Sequence, residues 1–69
     1  MNWQLDPLVL LMPVGKRHTS LRRLVKKYGK KMVIQKQKLL KKHMLKSGKA
    51  PQEYVTILDE DIAWVNQLL

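Results

Sequence analysis

The chain has 69 residues, no cysteine and a formal net charge of +9. So short a chain buries only about 60% of its unfolded surface, which leaves room for one domain with a thin core and no disulfide reinforcement. A hydrophobic content of 45% excludes a wholly disordered tail. The remaining sources of stability are homodimerisation or ordering on a partner.

Charge divides the chain into three parts of one domain. Residues 1–15 form an apolar arm with two prolines, residues 16–49 a basic block, and residues 50–69 an acidic and apolar end. All fourteen Lys and Arg residues lie in the basic block, which contains no Asp or Glu. The acids Asp6, Glu53, Asp59, Glu60 and Asp61 all lie outside it.

In the arm, Pro7 and Pro13 bracket the apolar run of residues 8–12. Proline biases its predecessor toward extended backbone, so this run is expected as a short buried strand or extended arm. It falls far short of the roughly 20 residues of a membrane-spanning helix. Asp6 stands where a signal peptide would carry a basic region, and the lysine-rich, internal block is not built as a transit peptide. The default compartment is the cytoplasm.

The basic block opens with Thr19 and Ser20, both good N-cap residues. Leu21, Leu24, Val25 and Tyr28 then fall on one helical stripe, with Arg22, Arg23, Lys26 and Lys27 opposite. Gly29 interrupts the pattern and costs roughly 1 kcal/mol inside a helix, which favours two helices, or one sharply kinked. One continuous helix, which would keep Met32 on the Leu21, Val25 and Tyr28 stripe, stays open. Helical spacing resumes at Lys31. Met32, Val33, Leu39, Leu40, His43 and Met44 form its expected apolar arc, with Lys38, Lys41, Lys42, Lys46 and Gln35 on the other side. Ser47-Gly48, followed by Pro51, makes the stop. Residues 54–58 then read as a strand, with Asp59 as the N-cap of a terminal helix and Glu60 and Asp61 in its first turn. Ile62, Trp64, Val65, Leu68 and Leu69 supply that helix's apolar side.

Contact with phosphates needs cations repeated along one side of a rigid element. Arg22, Arg23, Lys26 and Lys27 meet that need on the first segment, and Lys38, Lys41, Lys42 and Lys46 on the second. Lys16, Arg17, Lys30 and Lys31 extend the candidate surface, and His18 stands beside Lys16 and Arg17. Leu24, Val25, Tyr28 and Gly29 resemble the end of the first helix and the turn glycine of a helix-turn-helix. That motif wants apolar residues where Lys30, Gln35 and Lys38 stand, so no base-reading residues are carried over from it. Gln35 and Gln37 are expected as ordinary helix-surface glutamines. Lys36 falls near the middle of the apolar arc, where its stem would snorkel to the rim.

No glycine-rich phosphate loop, paired-carboxylate site, nucleophile-with-base pattern or metal-ligand spacing is present, and no cofactor is implied. Enzymatic activity is not expected. Trp3 and Leu5 precede the apolar run outside any periodic pattern and are candidate residues for docking on a protein.

These features imply a small, mainly α single domain. It has two helices (or one kinked helix) in the basic block, a short C-terminal helix, and scope for a minor two-stranded β element. The implied partner is DNA or RNA, held largely through phosphates, as in a non-catalytic transcription regulator. An adaptor on a nucleic-acid machine such as RNA polymerase or the ribosome is a refinement of that reading. The rival is a cationic membrane-active peptide of the leaderless bacteriocin kind, since lysine-rich amphipathic helices suit anionic lipid surfaces.

Overall fold

A computed structural model describes residues 3–69. A 3₁₀ turn, Pro7–Leu11, leads into three helices: α1 (Val14–Tyr28), α2 (Lys30–Ser47) and α3 (Gln52–Asn66). The helix α2 packs against both α1 and α3, and α3 also packs against the 3₁₀ turn. No strand occurs among the described residues.

The run of residues 8–12 is therefore not a strand. Asp6 holds extended backbone, as a residue before proline should, and its carboxylate accepts a hydrogen bond from the Leu8 N–H at 2.9 Å. Asp as N-cap with Pro at the next position is a helix-start signal, and it prevails over the apolar composition. Winding turns Val9 and Leu10 inward and leaves Leu8 and Leu11 exposed. With no partner strand available, residues 54–58 are not extended either. They lie within α3, where Val55, Leu58, Ile62 and Val65 repeat at helical spacing and outweigh the β-branched local composition.

The helix starts also fall earlier than the capping residues imply. The first, α1, begins after Pro13, whose carbonyl accepts the Arg17 N–H at 2.9 Å; the Thr19 hydroxyl instead bonds back to the Gly15 carbonyl. Likewise α3 begins after Pro51, so Asp59, Glu60 and Asp61 stand mid-helix and Asp59 caps nothing. Both starts use a proline with extended backbone as the residue that turns the chain into the helix.

The separation at Gly29 is complete. Its φ of 96° and ψ of 150° place it in a region essentially reserved for glycine, so helical backbone cannot run through. Its N–H closes α1 on the Val25 carbonyl, and its own carbonyl accepts from Val33 to open α2. At the other end of α2, Gly48 takes the left-handed conformation with its N–H on Met44 O.

Leu5, Val9, Leu10, Leu21, Val33, Leu58 and Val65 form the buried core. Leu24, Val25, Leu40, Met44 and Ile62 pack against it from partly buried positions, as does Trp3. The α1 stripe is the expected one. The α2 arc is rotated: Val33 and Gln37 are fully buried, whereas Met32, Leu39 and His43 are exposed. Gln37 is thus not a surface glutamine. It occupies a core position with neither its Nε2 nor its Oε1 hydrogen-bonded among the described residues.

Candidate nucleic-acid interface

The basic residues divide into an outward set and a structural set. Lys16, Arg22, Arg23, Lys26 and Lys27 are exposed on or at the start of α1. Lys31, Lys38, Lys42 and Lys46 are exposed on α2, with Lys49 just beyond it. Spacings of seven, four and four residues return Lys31, Lys38, Lys42 and Lys46 to nearly the same side of α2. At about 1.5 Å rise per residue that stripe runs about 22 Å. Arg22 and Lys26 are one turn apart on α1, with Arg23 and Lys27 beside them. Both helices lack acids, so nothing on either surface offsets these charges locally.

Arg17 does not belong to this surface. It is buried, and its Nε donates to Asp61 Oδ2 at 2.9 Å while Nη1 donates to the Met12 carbonyl at 3.0 Å. It therefore ties α1 to α3 and to the end of the 3₁₀ turn. Asp61, itself 2% exposed, has been drawn from the expected first-turn position into the interior as the counter-charge. Removing one member of such a pair leaves an uncompensated buried charge, which is why Arg17 is committed to the fold.

Other predicted bases are partly engaged. Lys30 is half-buried, and its ammonium donates to the Leu68 carbonyl at 2.8 Å, pinning the chain after α3. Lys41 pairs with Asp59 at 2.7 Å across α2 and α3, with both side chains substantially exposed. Among the described residues, carboxylates pair with no Lys or Arg other than Arg17 and Lys41.

Two ring clusters lie beside the bases. His18 stacks on Trp64 with centroids 3.9 Å apart and planes within 7°, and its Nε2 lies 3.8 Å from Asp61 Oδ1. The Arg22 guanidinium carbon stands 5.6 Å from the Trp64 ring. Trp3 stacks on Tyr28 at 4.6 Å, with the Lys36 ammonium 5.5 Å from the Trp3 ring. Lys36 thus leaves the core by resting on an aromatic face. Trp3 is half-buried and packs against the core, while Leu5 is 7% exposed and belongs to the core itself.

Sequence spacing located the exposed bases but missed the Arg17–Asp61 pair, whose members are 44 residues apart. One sign was available: Arg17 falls on the Leu21, Leu24 and Tyr28 side of a helix begun at Val14 instead of Thr19. No protein-family model, curated protein or solved structure matches this chain. Among the described residues there is no cluster of three or more metal-ligating side chains. No described helix is long and apolar enough to cross a membrane.

Proposed function

We propose that the protein is a small non-catalytic nucleic-acid-binding regulator whose α1 and α2 bases contact DNA or RNA phosphates. The observation that supports this most is the exposed set of cations on two adjoining acid-free helices, of which, among the described residues, only the neighbouring Lys41 pairs with a carboxylate. A block of unrelieved like charge opposes compaction, and a polyanion supplies the missing counter-charge. The contacts read phosphate rather than base, because lysines dominate the stripe and the helix-turn-helix pattern breaks at Lys30, Gln35 and Lys38. A role as an adaptor on a larger nucleic-acid machine extends the same reading.

The test is fluorescence anisotropy with labelled duplex DNA and single-stranded RNA across a salt series. With five to eight phosphates neutralised on the duplex, log K falls against log salt with a slope of roughly −4 to −7. Reversing charge at Arg23, Lys26 and Lys42 abolishes most of the binding without loss of helicity. Affinity that is flat with salt would defeat the proposal.

One observation favours a second reading, an anionic membrane surface. Leu8, Leu11 and Val14 are each more than half exposed, next to Lys16. Apolar groups beside cations suit an interfacial lipid contact. Co-sedimentation with phosphatidylglycerol vesicles, in competition with duplex DNA, decides between the two.

A further inference from the structure

We infer that the groove between the N-terminal segment and α1 is the docking site for an acidic amphipathic helix of a protein partner. This deepens the adaptor part of the proposed function and lies apart from the α2 phosphate stripe, with Arg23 standing at the border between the groove and the phosphate-contacting bases of α1. The groove has a volume of about 540 Å³ and is floored by apolar groups, chiefly Trp3, Leu5, Val9 and Leu24. A second, shallower concavity continues it past Met12 and Ser20 toward Lys16, with Arg23 bordering both. The result is an elongated apolar trough along one flank of α1, the shape that receives an amphipathic helix.

Charge at the rim selects the occupant. Lys16 and Arg23 are seven residues apart, nearly the same helical angle, and so stand about 10 Å apart along α1. Neither has a carboxylate partner among the described residues. The one acid lining the groove, Asp6, is engaged by the Leu8 N–H. A helix with two carboxylates seven residues apart beside an apolar stripe would match both cations and the floor together.

Other occupants fit less well. A phosphate backbone has no use for an apolar floor. A second copy of this chain brings another +9, and the exposed residues of its acidic helix α3 include no large apolar side chain.

The test uses a synthetic, helix-stapled peptide with two glutamates seven residues apart flanking leucines, and its twin with lysines replacing the glutamates. Amide and indole NMR shifts of the full chain report the site. The acidic peptide is expected to bind at micromolar concentration and to shift the Trp3 indole, Leu24 and Arg23 signals, leaving Lys38 and Lys42 unmoved. Lys16→Glu with Arg23→Glu should weaken it about tenfold or more and let the lysine peptide bind instead. Leu8→Glu, at an exposed position on the groove's edge, should weaken the acidic peptide while sparing duplex DNA binding.

Shifts spread over the α2 stripe, or equal affinity for both peptides, would overturn the docking site. So would duplex DNA or phosphatidylglycerol vesicles shifting the Trp3 indole and Leu24, the apolar floor, in preference to the peptide. Loss of DNA binding in the salt series, with peptide binding intact, would instead remove the nucleic-acid reading and leave the groove standing.

Discussion

Replacing Gln37 with methionine isolates the least comfortable group in the core. Its side chain is wholly buried, and both amide atoms lack hydrogen-bond partners among the described residues. Methionine has similar length and volume, and nearly the same helix propensity, so the substitution changes little except the amide. A buried amide without partners costs about 1–3 kcal/mol relative to an apolar group of the same shape. Gln37→Met should therefore stabilise the fold by about that amount. At about 4–8 °C per kcal/mol for a domain of this size, Tm should rise by roughly 4–24 °C. Gln37→Ala serves as the control, because it removes the amide but opens a cavity, and should lie about 2–5 kcal/mol below the methionine variant. Urea titrations followed by far-ultraviolet circular dichroism give both values, with an unchanged m-value showing that the unfolding reaction is the same. A methionine variant no more stable than the parent would refute the reasoning, since it would mean that the amide is satisfied or that α2 presents another face to the core.

Arg17→Met should destabilise by about 3–5 kcal/mol, because it leaves the Asp61 carboxylate buried without its cation. Adding Asp61→Leu should restore much of the loss, and a wild-type urea midpoint in the single variant would show that the pair is dispensable. Gly29→Ala forces a Cβ into φ of 96° and should cost about 1–3 kcal/mol by the same titration, although the added carbon meets no neighbour; an unchanged midpoint would mean that α1 and α2 can join differently. Trp3→Ala removes the stack on Tyr28 and part of the core's cover, and should cost about 1–3 kcal/mol in thermal unfolding. No change in Tm for that variant would make Trp3 a surface residue.

The apolar stripe of α1, the weak point at Gly29 and the stop at Gly48 were legible in the chain because each depends on neighbours within a few residues. Helical periodicity in α1, and the backbone freedom of a glycine at a junction, are local physics. The exposed bases were legible for the same reason, since no nearby acid could claim them. Residues 54–58 misled because β-branched composition is a weak preference that packing reverses, and residues 8–12 because apolar content masked the Asp6-Pro7 helix start.

By itself, then, the sequence determined a small, mainly helical, strongly cationic domain with a weak point at Gly29, because charge and periodicity need no third dimension. That the helix breaks there was decided by the structure. Only the tertiary structure decided which cations remain free. Arg17 and Asp61 meet across 44 residues, Lys30 reaches the Leu68 carbonyl, and α2 turns Gln37 instead of Leu39 into the core. Such choices depend on how three helices share one thin interior, and a buried charge or amide gains its partner, or lacks one, only once the helices have docked.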